Sequence, residues 1–334
     1  MRPIVSVVTP FYNSGEFLEE CILSVLRQTF GEFEYILANN RSSDNSLDIA
    51  LAYANSDPRV RVIDADEFLG QVPNYNRALR QISPESTYCK IVQADDWIYP
   101  NCLEQMVALA DSDSSVGLVS SYRLKGSQVS GAGLPHTRQV FPGDVICRLQ
   151  LLKGRYFFGS PTTVMYRSEI VRSRSPFFDE HATNDDTHAC YEILKQWRFG
   201  FVHQILSFTR VDNESIMSDV RDFNPHLLDK LILVRKFGRD YLDPDEFRTC
   251  WSDIESRYLR FLAEAMVRSK GSDFWKHHRR GLATIGYRLS RTKLAWHFLL
   301  YLADLVLNPK RTAEELLQKL RSNSRTGTSS RDII

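Results

Sequence analysis

Along the first 115 residues the apolar positions follow two different periods. The short runs "IVSVVTP", "EYILAN", "RVRVID" and "YCKIVQ" read as buried strands, with Pro10 expected to stop the first of them. Between them the apolar residues recur at helical spacing. Leu18, Cys21 or Ile22, Val25 and Thr29 place an amphipathic helix over residues 15–29, with Cys21 on its apolar face. Ser43 or Asp44 can cap a second helix that runs to about residue 55, and "NYNRALRQI" gives a third. "NCLEQMVALA" gives a fourth, directly after Pro100. A βαβαβαβ order of this kind requires an α/β fold, with a mostly parallel sheet flanked by helices on both faces. Ligands of such sheets sit beyond the carboxyl ends of the strands. Thr9, Asn39 and Asp95 fall at those ends, so three polar residues from three strands are expected to meet in one crevice.

Beyond residue 116 the pattern loosens. "VGLVSSYRL" reads as a strand, "SQVSGAGLP" as a glycine-rich loop, "DVICRLQLLKG" as a helix and "TTVMYR" as a strand. Residues 179–196 combine an acidic turn with a helix, and "FGFVHQILSFTRV" suggests paired strands. From about residue 223 the chain turns helical and basic. The domain organisation expected is a core over 1–220, whose halves run over about 1–115 and 116–220, then a helical region over 221–320 and a disordered tail over 321–334.

Composition narrows this picture. With 334 residues, 43% of them hydrophobic, the chain can bury one large core or two modest ones. A net charge of +1 carries no signal for nucleic acid. Six cysteines without CxxC spacing point to reduced thiols rather than a disulfide framework or structural zinc. Only three residues precede the first strand, and the longest apolar run, "LAWHFLLYLADLVL", is too short to span a bilayer. A cytoplasmic location follows, with a peripheral place on the inner face of the cell membrane left open.

The strongest chemical signal is "KIVQADDWIYP". A buried strand ends there in two adjacent carboxylates, Asp95 and Asp96, whose mutual repulsion invites a divalent cation. A second acidic pair, Asp185 and Asp186, stands in "FFDEHATNDDTHACYEIL" at the start of a helix. There a carboxylate can act as a general base, its pKa expected to be depressed by the helix N-terminus, or can simply cap the helix. Alternative chemistries lack their motifs. No GxGxxG follows the first strand, no GKS or GKT occurs, and no basic glycine-rich loop of a nucleotidyltransferase is present.

"VSVVTPFYNSGEFLEECILSVLRQT", "EYILANNRSSDNS", "NYNRAL" and "QADDWIYP", in this order and spacing, resemble family 2 glycosyltransferases of the GT-A, Rossmann-like fold over roughly residues 4–215. The resemblance implies that Thr9, Pro10 and Tyr12 line the pocket for base and ribose, and that Asn39, Asn76 and Arg210 also contact the donor. Asp95 and Asp96 match the acidic motif that binds ribose and the metal, Mn2+ or Mg2+, bridging the donor phosphates. Asp186, with Asp185 as runner-up, matches the base of an inverting transfer. The chain departs from the family pattern at Gln93, at Asn39 (where relatives commonly carry aspartate, leaving uracil, thymine or guanine open) and at Asp212 in place of a histidine. Arg210 can pair with a diphosphate or with a surface carboxylate, and "SPTT" matches a segment on the acceptor side. His181, His188 and His203 read as surface or packing residues.

Between Lys270 and Arg325 twelve basic residues face four acidic ones, with Trp275, Trp296, Phe298 and Tyr301 interleaved. That mixture suits either a helix lying on an anionic membrane surface or helices packed on the catalytic domain. Together these features lead to an inverting, metal-dependent glycosyltransferase that uses a nucleotide-diphospho-sugar, UDP-sugars favoured. Its acceptor would be a glycan or lipid-linked glycan of surface polysaccharide synthesis. A GT-A-like module that binds nucleotide or glycan without turnover is the alternative.

Overall fold

The computed structural model describes residues 3–182, 184–211 and 225–308. Asp212 and the expected tail over 321–334 lie outside the described residues. The chain divides into two compact units, one comprising Met1–Asp222 with Leu233–Phe247 and the other Phe223–Ile232 with Arg248–Ile334.

The first unit is built on a ten-stranded sheet. Its strands are β1 (Val5–Phe11), β2 (Phe33–Asn39), β3 (Val60–Ile63), β4 (Tyr88–Ile91), β5 (Trp97–Ile98), β6 (Val116–Lys125), β7 (Gln128–Ser130), β8 (Val140–Phe141), β9 (Met165–Arg167) and β10 (Arg198–Thr209). They lie in the order β3-β2-β1-β4-β9-β6-β10-β5, with β7 on β6 and β8 on β10. The β1–β2, β2–β3, β1–β4 and β6–β10 ladders are parallel. The short β9 lies antiparallel between β4 and β6. The α/β fold read from the sequence is the fold observed: mixed layers around a mostly parallel sheet, with a helical C-terminal part.

Helices α1 (Leu18–Leu26), α2 (Ser46–Ser56), α3 (Gln71–Leu79), α4 (Cys102–Ser112), α5 (Gly143–Lys153), α6 (Ser168–Ser173) and α7 (Asp185–Ile193) flank the sheet. Leu18, Cys21, Ile22 and Val25 of α1 join Cys102, Leu103 and Met106 of α4 in one core against Val5, Val7, Tyr35 and Leu37. The alternate strand residues Val8 and Ile36 are equally buried, and α3 packs on β1 and β2. Both faces of the sheet are covered, as a parallel sheet demands. The chain continues into α8 (Pro225–Tyr241), α9 (Pro244–Val267), α10 (Ser272–Thr284) and α11 (Arg291–Leu307).

Three local expectations give way. The first strand runs through Pro10, which pairs with Ala38, because the β1–β4 ladder has already ended at Val8 and Ile91. The missing proline N–H therefore faces no ladder there. "FGFVHQILSFT" forms one strand rather than two, its register with β6 shifting near Val202, Ile205 and Ser207. The segment read as a glycine-rich loop begins with β7, which pairs with the end of β6.

Candidate active site

The carboxyl ends of β1 and β2 are stitched to each other through their loops. Asn13 donates its N–H to the Ser42 hydroxyl (3.0 Å) and accepts from the Ser43 N–H through Oδ1 (2.8 Å). Gly15 N–H donates to Asp44 Oδ2 (2.9 Å), and Ser14 N–H to the Ser46 hydroxyl (2.8 Å). Asn13 (φ 46°) and Arg41 (φ 63°) hold left-handed backbone here, a conformation that costs energy outside glycine and concentrates at functional loops. Tyr12, 47% exposed, lays its ring against Phe68 at 4.8 Å.

At the end of β4 the two carboxylates differ sharply. Asp95 is half-buried, whereas Asp96 is 2% exposed. Asp96 Oδ1 accepts the Arg210 N–H (3.1 Å), while its Oδ2 is buried without a hydrogen-bond partner among the described residues. Burial, and then the neighbouring Asp95 charge, push the Asp96 carboxyl up to about 7. Beneath them Gln93 N–H donates to the Thr162 hydroxyl (3.0 Å). Thr162 lies in the 3-10 turn Pro161–Thr163, part of the "SPTT" segment. The buried Lys90 ammonium caps the Thr162 carbonyl and that of Val164 (3.3 Å). Arg210 donates from Nε to the Asp95 carbonyl (3.2 Å), lies over the Phe17 ring (4.4 Å) and pairs with Glu20 (2.5 Å).

The second acidic pair opens α7. Asn184 is the N-cap residue without a side-chain cap bond, so Asp185 and Asp186 occupy the first two helical positions. Asp186 Oδ1 accepts the Thr187 N–H (2.6 Å), and the Thr187 hydroxyl shares a 2.7 Å hydrogen bond with Tyr156. The expected depression of these carboxyl pKa values is reversed. Burial raises both, with the Asp186 charge adding to the rise at Asp185, and this outweighs the backbone hydrogen bonds that pull the other way.

Two residues link the clusters. The Tyr75 phenol, on α3, is raised first by burial and then by Asp95, Asp185 and Asp96. Arg123, on β6, lies within electrostatic reach of Asp96, Asp186 and Tyr156 and partly offsets the rise that burial imposes on each. Its Nε is buried without a hydrogen-bond partner among the described residues. Carboxylates about ninety residues apart in sequence thus lie within electrostatic range of one cation and one phenol.

Residues 6–174, half of the chain, match the family model described as glycosyl transferase family 2. The chain belongs to that family. Over 125 residues this family 2 chain is 35% identical to the glycosyltransferase GlyG of Streptococcus pneumoniae, an alignment spanning 36% of this chain and 41% of GlyG's own length. In fold it is similar to S. aureus TarS 1–349 in complex with UDP-GlcNAc, with a TM-score of 0.60 at 17% identity over 99% of this chain and 94% of that one. The mannosyltransferase PcManGT from Pyrobaculum calidifontis, in complex with GDP-Man and Mn2+, gives a TM-score of 0.55 at 17% identity over 92% and 87%.

In this family 2 chain the residues singled out by sequence are distributed unevenly. The Thr9 hydroxyl is fully buried and shares a 2.9 Å hydrogen bond with Tyr35, so it serves the core instead of the expected crevice. Pro10 is likewise buried within β1. Asn39 is spent on protein: Nδ2 donates to Asp64 (2.8 Å) and Oδ1 accepts from Ser42 N–H (3.1 Å). Asn76, expected to contact the donor, instead clamps the segment before α7. Its Nδ2 donates to the Phe178 carbonyl (2.9 Å) and Glu180 (3.0 Å), and its Oδ1 accepts the Phe178 N–H (2.8 Å). His188 and His203 are packing residues, as read; His203 bridges the Tyr122 hydroxyl (3.1 Å) and the Arg138 carbonyl (2.8 Å).

Sequence reasoning missed Arg123, Asp64, Tyr75 and Tyr156. The one available signal was an arginine set inside an otherwise apolar and small-residue strand, "VGLVSSYRL". Asp64, at the end of β3, places a carboxylate beside Asn39, where the family pattern would have had one within β2 itself.

The donors at Asp95 and Asp96 fit a divalent cation in kind, being hard carboxylate oxygens, one of them unpartnered. No group of three His, Cys, Asp or Glu residues able to hold a metal occurs among the described residues.

Proposed function

We propose that the protein transfers a sugar from a nucleoside diphosphate donor to a glycan hydroxyl, with inversion at the anomeric carbon. The observation that carries this reading is that both acidic clusters lie within electrostatic range of Arg123 and Tyr75, while Asn76, next to Tyr75 on α3, ties down the Phe178 segment before α7. Asp186 is the proposed base. It accepts the proton of the acceptor hydroxyl while that oxygen bonds to the anomeric carbon. The bond from that carbon to the diphosphate breaks on the opposite side, and the diphosphate leaves with the electron pair. A carboxyl raised by burial is a better proton acceptor near neutral pH than an ordinary one, provided it is ionised. Arg123 is suited to both tasks around it, holding Asp186 charged and facing the negative charge of the donor. Arg210 can exchange its exposed Glu20 partner for a phosphate, because surface ion pairs of that kind contribute little.

Mn2+ or Mg2+ held by Asp95 and Asp96 would supply charge neutralisation for the departing diphosphate. UDP-sugars head the candidate donors, in keeping with the TarS complex, and GDP-sugars follow, in keeping with the mannosyltransferase. A glycan or lipid-linked glycan is the proposed acceptor, at the cytoplasmic side of a membrane.

The test is transfer or donor hydrolysis by the purified protein across UDP-, GDP- and dTDP-sugars with either metal. Asp186→Asn should lower turnover by about 10²- to 10⁴-fold, the usual contribution of a general base, with donor affinity little changed. The same substitution removes a carboxyl whose ionisation the fold opposes, so thermal stability at pH 7 should hold or rise. Full activity in Asp185→Asn/Asp186→Asn would overturn the mechanism. Donor binding with no transfer to any acceptor or to water would favour the non-catalytic module.

A further inference from the structure

Helix α11 is apolar on two faces. Leu294, His297, Phe298, Tyr301 and Leu305 recur at steps of three and four and are buried or half-buried. The opposite stripe is bare: Trp296 is 62% exposed, Leu299 59%, Leu300 47%, Val306 77% and Leu307 78%. Ala303, also exposed, continues it between Leu300 and Val306. No charge interrupts the stripe. The helix's one carboxylate, Asp304, pairs with Arg260 (3.2 Å) on α9. A continuous exposed apolar surface of this kind marks an interaction site rather than ordinary surface scatter.

The charge around it indicates the partner. Residues 248–308 carry eleven Lys and Arg against five Asp and Glu. All five carboxylates are held by cations of the same stretch: Asp253 by Arg257, Glu255 by Lys293, Glu264 by Arg268, Asp273 by Lys276 and Asp304 by Arg260. The surplus is therefore positive. Arg288 and Arg291 are exposed at the N-terminal end of the helix, and Lys310 and Arg311 follow its C-terminal end in the sequence. Among the described residues no helix is long and apolar enough to cross a membrane. A second copy of the chain docked on the same stripe would bring two positive surfaces together.

We infer that α11 seats this unit on an anionic lipid surface. The Trp296–Leu307 stripe enters the boundary between headgroups and acyl chains, and the surplus cations meet the lipid phosphates. Glycosyl transfer is not assumed, so this inference stands or falls separately from the proposed function.

The experiment is co-sedimentation of the full-length protein with vesicles of phosphatidylcholine, with and without phosphatidylglycerol. Binding is expected only to the mixed vesicles, and it should weaken as salt shortens the Debye length from about 10 Å at 0.1 M to about 3 Å at 1 M. Leu299→Asp/Val306→Asp should reduce partitioning at least about tenfold, equivalent to roughly 1.4 kcal/mol. Its melting temperature should be unchanged, because both side chains are exposed. Trp296→Ala provides a second, uncharged variant with the same direction of effect. Failure of the wild type to sediment with mixed vesicles overturns the inference, as does equal binding by the double variant. A dimer in sedimentation velocity that this variant dissolves would also overturn it, in favour of a second copy.

Discussion

His188, two residues beyond Asp186 on α7, is 5% exposed, and burial together with Lys236 pushes its pKa down to about 4. Above pH 6.5 neither the folded nor the unfolded chain protonates it, and its contribution to stability is fully present. As pH falls from 6.5 toward 4 the unfolded chain binds a proton that the folded one refuses, so stability is lost, by roughly 3 kcal/mol. Urea midpoints of the wild type should drop over that window, and His188→Gln should flatten the drop. Parallel slopes in the two proteins would mean that His188 is not the group responsible. Asp185 and Asp186, raised in the fold, oppose the trend equally in both proteins. At this scale the sequence pointed to two acidic pairs but not to what surrounds them. The partners of Asn39, Asn76 and Arg210 lie 25, 102 and 190 residues away, beyond the reach of any local pattern. A donor amide and a clamping amide look the same in one dimension.

Elements were legible where one period dominated. The first four strands and their helices formed within a few residues of expectation, because βαβ units bury each strand against helices close to it in sequence. Legibility fell where an element meets distant neighbours. β10 looked like two strands because its bulges break the alternation, and α11 hid its exposed stripe because apolar residues on both faces cancel the periodic signal. Close approach of elements is equally invisible in sequence. A Cβ added at Gly143, the first residue of α5, would come within 2.2 Å of the Leu194 carbonyl oxygen and 2.5 Å of that of Trp197. Backbone cannot yield as a side-chain tip does. Gly143→Ala should therefore cost about 1–3 kcal/mol in denaturant unfolding. No change would mean that α5 can shift away from the end of α7.

For the molecule as a whole, ligand binding should be readable as stability. A nucleoside diphosphate with Mn2+, at a hundred times its dissociation constant, should add about 2.7 kcal/mol. Chelator should remove most of that gain if Asp95 and Asp96 hold the ion, and Arg123→Met should reduce it without chelator. A panel of UDP, GDP and dTDP with no shift in either metal would count against a diphosphate site. The division into halves near residue 115 marks a change in sequence pattern, yet the sheet interleaves across it. β9 lies beside β4, and among the described residues β5 pairs with β10, Phe208 opposite Trp97. This has a consequence for biosynthesis. A nascent chain can assemble β3-β2-β1-β4 once residue 91 has emerged, but β4 then stands as an open edge. Roughly another 75 residues must follow before β9 covers that edge, and roughly 120 before Arg210 arrives, about 6–24 seconds at ribosomal speeds. Until then Asp96 lacks the Arg210 N–H that holds it, and the acidic pair exists without its site. Interruption of synthesis in that interval, by slow codons or truncation, would yield an aggregation-prone half-sheet rather than a smaller binding module.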